Sequence, residues 1–283
     1  MGEILDGKKL SGKILNNIKR EVLSLPRKPK LVVILVGENP ASKIYVRIKQ
    51  KCAQELGFES IDINFPDSVG EDELIETVKN LNLDKSVNAI LVQLPLPAQI
   101  DTQKVINSID PKKDVDGFHY ENVGKLSSNQ KPYAIACTAR GILELLNEYE
   151  IELEGKNVVV IGRSNIVGTP VARLLQNKNA TVTVCHSKTK NIENFTKNAD
   201  IIVCAIGHPK FLKADMVKKN AVIIDVGINR VDLGQGDYKL VGDTDFENLI
   251  EKVSYITPVP KGVGPMTIAG LMQNTLDLFL LQN

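Results

Sequence analysis

The stretch Val158-Val159-Val160-Ile161-Gly162-Arg163-Ser164-Asn165-Ile166-Val167-Gly168-Thr169-Pro170 sets the architecture of the protein. Its consecutive β-branched residues read as a strand covered on both faces. Gly162 permits a tight turn, and helical spacing follows from about 170 to 176. A strand, a glycine turn and a helix start make either an ordinary βα turn or an anion site served by backbone N–H groups and the helix dipole. The spacing is not the G-x-G-x-x-G fingerprint, so the turn alone does not choose.

The next strand, Ala180 to Cys185, does. It ends in His186-Ser187-Lys188-Thr189. In a dinucleotide fold this end meets the adenosine ribose, where an acid would bind the 2′-hydroxyl of NAD. Here a hydroxyl and a lysine stand in its place, with Arg163 offered from the first turn. Such donors suit a 2′-phosphate, so NADP is expected rather than NAD. Further runs follow in step: Ile201–Ala205 before Gly207, Ala221–Val226 before Gly227, and Ser254–Thr257 before Pro258. Asp225, inside an apolar strand, needs donors if it is buried; a structural role is expected.

The first half alternates in the same way. Leu31–Val36, Ser60–Phe65 and Ala89–Leu94 read as strands. Segments 6–25, 42–56, 71–83 and 100–109 read as helices, the last capped by Asp101 or Thr102. Pro26 ends the first helix and Pro95-Leu96-Pro97 breaks the third strand. This pattern predicts βαβ units and parallel sheets. Residues 110–132 are polar and turn-rich and carry no clear element. A helix over 138–149 would connect two domains.

Composition restricts the function. The protein has 283 residues, 43% hydrophobic and 24% charged, with a net charge of +1. That suits a globular protein of one large or two modest domains. No basic excess speaks for nucleic acid and no charge block for a membrane surface. The N-terminus lacks a signal-peptide pattern, and no apolar run approaches the ~20 residues of a membrane span. A cytoplasmic protein is expected. Cys52, Cys137, Cys185 and Cys204 lack metal-ligand spacing, and His119, His186 and His208 are dispersed. Free thiols and no metal site are expected.

One further pairing concerns chemistry. Ser42-Lys43-Ile44-Tyr45-Val46-Arg47-Ile48-Lys49 follows Pro40, with Ser42 as the expected helix start. Tyr45 and Lys49 then share a face one turn apart. They could hold a flat substrate and offer it an amine, or simply cover the helix.

Together these residues resemble the bifunctional methylenetetrahydrofolate dehydrogenase/cyclohydrolase family. The carriers are SKIYVRIK (42–49), ILVQLPLP (90–97), KDVDGF (113–118), GRSNIVGTP (162–170), CHSKT (185–189), DVGINR (225–230), VGD (241–243) and TPVPKGVGPMT (257–267), nearly end to end and in family order. The resemblance implies a two-domain α/β enzyme with an active-site cleft between an N-terminal folate domain (1–138 plus 265–283) and a Rossmann-like NADP domain (139–264). A homodimer is implied as well. It implies that Tyr45 stacks on the folate aminobenzoate, that Lys49 is the catalytic lysine with Gln93 as its partner, and that Asp116 holds the pterin. Leu94, Pro95, Pro258 and Gly262 would contact substrate; Gly162, Arg163, Ser164, Ser187 and Ile228 would contact NADP.

An exposed lysine near a substrate cation would stay protonated, so burial under Tyr45 or a nearby positive charge is expected to favour the neutral amine. Taken without the resemblance, Gln93 is a strand-end residue and Asp116 a turn aspartate. A monofunctional dehydrogenase is the nearest rival reading, and a non-catalytic dinucleotide-binding regulator the more distant one. Two departures from the family pattern stand out: Ala136-Cys137-Thr138-Ala139 replaces Pro-Cys-Thr-Pro, and Lys261 replaces the first glycine after Pro-Val-Pro.

Overall fold

The structure, a computed structural model, describes residues 1–234 and 237–283. From the N-terminus the protein forms β1 (Glu3–Ile4), α1 (Gly7–Ser24), β2 (Lys30–Val36), α2 (Pro40–Leu56), β3 (Glu59–Phe65), α3 (Glu71–Leu83), β4 (Ala89–Val92), α4 (Thr102–Ser108), α5 (Tyr120–Ser127) and α6 (Cys137–Glu148). There follow β5 (Asn157–Ile161), α7 (Gly168–Gln176), β6 (Thr181–Cys185), α8 (Glu193–Thr196), β7 (Ile201–Cys204), β8 (Val222–Asp225), β9 (Asn229–Gly234), β10 (Asp237–Val241), α9 (Phe246–Leu249), β11 (Tyr255–Ile256) and α10 (Val263–Leu281). Two compact units result. The first comprises 13–137 with 268–283, the second 1–12 with 138–267.

The first unit is built on a parallel sheet of order β3-β2-β4. Every residue of β2 from Leu31 to Val36 is buried, as expected of a central strand with helices on both faces. One side packs Val22, Val46, Ala53 and Leu56 against Leu31, Val33 and Leu35, with Leu271, Met272 and Leu276 of α10 in the same cluster. The other side packs Val32, Ile34 and Val36 against Leu74, Val78 and Val105. The return of the last helix to this unit therefore rests on apolar burial.

The second unit carries a six-stranded parallel sheet of order β1-β11-β8-β7-β5-β6, with β9 and β10 as a separate antiparallel pair. The order reverses between β5 and its neighbours β6 and β7, which creates the crevice where doubly wound sheets bind ligands. Residues 1–12 differ from the sequence expectation, which assigned them to the folate domain. Glu3 and Ile4 pair with Tyr255 and Ile256. The Leu5 amide donates to Ile256 O at 2.9 Å, the Asp6 amide to Tyr149 Oη at 2.8 Å and the Lys8 amide to Lys261 O at 2.9 Å. Leu5 is wholly buried. A free strand edge next to β11 takes this short segment up.

Element ends also sharpen. α2 starts at Pro40 rather than Ser42, because Asn39 Oδ1 accepts the Ala41 and Ser42 amides at 3.0 and 3.1 Å. Asp101 caps α4. The unassigned polar stretch contains α5, and α7 begins at Gly168, two residues before the expected start. No helix among the described residues is long and apolar enough to cross a membrane.

Candidate active site

In the first unit, α2 buries Ser42, Val46, Ala53 and Leu56. That orientation leaves Tyr45, 42% exposed, on the flank of the helix, one turn before the part-buried Lys49. The Lys49 Nζ donates to Gln93 Oε1 at 3.0 Å. Gln93 is the first residue beyond β4, and its backbone amide still bonds Ile34 O at 2.8 Å. Its side-chain Nε2 donates to Leu94 O at 2.7 Å, so the amide is held at both ends and its oxygen is aimed at the lysine. Leu94 is part-buried and Pro95 exposed beside it.

Asp116 completes the group. Burial pushes its carboxyl above the usual carboxylate range, while the Lys49 charge and the Cys137 thiol draw it down. Tyr45 is half exposed, and the Lys49 charge acts on the Asp116 carboxyl.

The KDVDGF motif divides its labour. Lys113 is buried and donates to the carbonyls of Leu81, Asn82 and Asp84 at 2.8–2.9 Å. Burial lowers its pKa. Asp114, 1% exposed, accepts from the Gly117 and His119 amides and from Asn122 Nδ2. Burial raises its carboxyl to about 6. These two residues fix the turn, and Asp116 is the acid the turn presents. Asn122 and Asn274 also brace this region and were not identified from sequence; the signal for each is an amide inside an apolar helix face.

In the second unit, Gly162 has φ +117°, and a Cβ there would lie 2.2 Å from Ala205 O. The turns after β5 and β7 therefore approach as backbone on backbone at the crevice. Ser164 turns back on the helix start: its Oγ accepts the Val167 amide at 3.1 Å, and its carbonyl accepts the Thr169 amide at 3.0 Å. Some amides expected to face an anion are thus already bonded. Arg163 and Ser187 are exposed, and Ile228 is 47% exposed. No acid follows β6. The exposed Arg163, the hydroxyls and the close-approach glycine fit a dinucleotide with a 2′-phosphate.

Two buried acids organise the loops beyond β7 and β8. Asp243, 0% exposed, accepts the Ile206, Gly207 and His208 amides at 2.7, 3.0 and 2.9 Å and Asn229 Nδ2 at 2.8 Å. Asp225 accepts the Gly227, Asp243 and Thr244 amides and the Thr244 hydroxyl, the structural role expected of it. Burial raises its carboxyl to about 6. Pro258 and Gly262 lie in the loop before α10, where a Cβ on Gly262 would lie 2.4 Å from Pro258 O. Lys261, between them, has φ +87°. Among the described residues no group of three or more His, Cys, Asp or Glu is placed to hold a metal ion.

Comparison with known proteins places the chain in a family. Residues 5–116 match the catalytic domain of tetrahydrofolate dehydrogenase/cyclohydrolase, and residues 136–283 match its NAD(P)-binding domain. The chain belongs to this family. The bifunctional protein FolD of Ligilactobacillus salivarius is 55% identical over 278 residues, 97% of this chain and 96% of that one. The crystal structure of the bifunctional FolD of Campylobacter jejuni superposes with a TM-score of 0.97 at 46% identity, covering 100% of both proteins. The Trypanosoma brucei enzyme, solved with NADP and an inhibitor, gives 0.94 at 38% identity, covering 99% of this chain and 98% of that one. The NAD(P)-binding match includes α10, although residues 268–283 pack in the first unit.

Proposed function

We infer that the protein oxidises 5,10-methylenetetrahydrofolate to 5,10-methenyltetrahydrofolate with NADP and hydrolyses the product to 10-formyltetrahydrofolate at the same folate site. The observation that carries this reading is the Lys49–Gln93 hydrogen bond beside Asp116, in a chain that matches bifunctional relatives over nearly its whole length.

NADP, when bound, accepts the hydride that leaves the methylene carbon between folate N5 and N10. Gly162, Arg163, Ser164, Ser187 and Ile228 would hold it. The oxidation leaves a cationic methenyl group, so the protein's part in this step is orientation: Tyr45 against the aminobenzoate and Asp116 on the pterin, with Leu94, Pro95, Pro258 and Gly262 bordering the folate.

Hydrolysis needs a proton taken from water and one given to the departing nitrogen. Lys49 performs both transfers. The Gln93 oxygen accepts from the ammonium and from the amine alike, so the aim of Lys49 survives the change of state.

Two copies of the protein are expected to pair through the second unit. β6 is the edge of its sheet, and Val184 on it is 39% exposed. A cytoplasmic setting fits the free thiols. The deciding experiment supplies methylenetetrahydrofolate with NADP or NAD and follows methenyl absorbance. Transient methenyl with NADP is expected. Persistent methenyl would make the enzyme a monofunctional dehydrogenase, absent methenyl a non-catalytic binder, and a preference for NAD would overturn the role of Arg163 and Ser187.

A further inference from the structure

Cys137 and Asn274 have no role in the chemistry above, yet both converge on the Asp116 segment. The Cys137 Sγ lies 3.6 Å from Asp116 Oδ1 and 3.6 Å from Val115 O. Asn274 of α10 is 0% exposed. Its Nδ2 donates to Val115 O and Ile135 O at 2.8 Å each and lies 3.5 Å from Cys137 Sγ. One buried amide thus joins the peptide before Asp116 to the peptide just ahead of Cys137.

An amide at that point costs desolvation that a leucine would not, since its neighbours Leu271, Met272, Leu276 and Leu278 are core residues. Its donors are spent on fixing two carbonyls next to the site. Cys137 also differs from the other thiols. Cys185 and Cys204 lie in the apolar core of the second unit; Cys137 is likewise a core residue of the first, with Cys52 packed against the same cluster, but its Sγ also meets a carboxylate oxygen. The single Cys137 thiol proton has Asp116 Oδ1 and Val115 O both at 3.6 Å from Sγ; turned to Oδ1, it is the hydrogen-bond donor to Asp116 among the described residues.

We propose that Cys137 and Asn274 are positioning residues for the folate reactions, the thiol orienting the Asp116 carboxylate and the amide fixing the two segments that bring thiol and carboxylate together. This rests on the assignment of Asp116 to the pterin. The charged and titratable groups acting on Asp116 are Lys49 from α2, Cys137 from α6 and Asp114 on its own turn. A thiol donor favours the ionised carboxylate, so removing it moves the acid limb of the pH profile upward.

The test measures kcat and KM for methylenetetrahydrofolate across the acid limb in Cys137→Ala, Cys137→Ser, Asp116→Asn and the Asp116→Asn/Cys137→Ala double variant. NADP affinity and the melting temperature serve as folding controls. Cys137→Ala should lose about tenfold in kcat/KM, mainly through KM, with its acid limb shifted upward. Cys137→Ser, which restores a donor, should recover most of both. In the Asp116→Asn background the same Cys137→Ala change should cost less than about twofold, because a residue acting through Asp116 has nothing left to orient. Asn274→Leu, which keeps the apolar packing, should repeat the Cys137→Ala pattern. An unchanged Cys137→Ala beside a crippled Asp116→Asn overturns the proposal alone, as does an equal loss in both backgrounds. An Asp116→Asn enzyme with wild-type kcat/KM removes the pterin assignment and the proposal with it.

Discussion

Asp225 and Asp243 in the second unit and Asp116 in the first are held for opposite purposes. In the second unit, Asp225 and Asp243 each accept four hydrogen bonds from neighbouring backbone and side chains. That fills the roughly four lone-pair sites of a carboxylate. Asp116 in the first unit receives a single weak thiol donor among the described residues, together with the Lys49 charge. Acceptor capacity is closed in one case and open in the other. A saturated buried acid binds its own loops; an acid with spare lone pairs beside a lysine is equipped for a ligand.

The largest expected effect concerns the open site. Lys49→Met keeps most of the side-chain length and removes the proton carrier. Cyclohydrolase activity should fall by about 10²–10⁴-fold. NADP affinity should stay unchanged, since the cofactor residues are in the other unit. Undiminished hydrolysis would break the contrast, because the Lys49–Gln93 hydrogen bond beside Asp116 would then be structural as well.

The closed sites should answer in stability instead. Asp243→Ala leaves three amides and the Asn229 side chain without their acceptor. Each buried unsatisfied donor costs about 1–3 kcal/mol, less where water enters. A loss of about 3 kcal/mol is expected in calorimetric unfolding, with weaker NADP binding, because the affected loop follows β7 at the crevice. A loss of a few tenths would mean that the loop holds its shape unaided.

The sequence hides this contrast while showing the frame around it. The βα alternation was legible because runs such as Leu31–Val36 and Val158–Ile161 are buried on both faces and need no partner to be recognised. α5 was not: its start is capped by His119 Nδ1, and its position depends on Asn122 bonded to Asp114. β1 is two residues long and exists because β11 leaves an edge open. At the site, helical spacing put Tyr45 and Lys49 on one face, but Gln93 and Asp116 were placed by family resemblance. Asn274 contacts Val115, 159 residues earlier in the sequence, a separation that no local pattern encodes.

Asp225 offers a smaller, pH-dependent test. Its carboxyl is raised to about 6, above the usual 3.8. Between these values the folded protein binds more protons at this group than the unfolded one. Its contribution to stability is therefore intact below the unfolded pKa and is lost as pH rises through about 6. The stability of the wild type relative to Asp225→Asn should fall by about 2–3 kcal/mol from acid to neutral pH. A flat difference would mean that the four donors outweigh burial and hold the carboxyl near its ordinary value.

The smallest effect probes Lys261, where both purposes meet in one residue. Its φ of +87° belongs to glycine, and its carbonyl is pinned by the Lys8 amide at 2.9 Å. The left-handed conformation costs a residue with a Cβ about 1–2 kcal/mol. Replacement by glycine relieves that cost but adds about 0.4–1 kcal/mol of freedom in the unfolded state. Lys261→Gly should therefore stabilise the protein by up to about 1 kcal/mol. Lys261→Ala, which keeps the Cβ, should not. The exposed ammonium is then the property to be tested for use, and an anionic folate tail is the ligand it suits. Both variants should raise KM for polyglutamylated substrate more than for the monoglutamate, although only the glycine variant is more stable. Equal KM changes for the two substrates would leave the lysine as strain without a compensating contact.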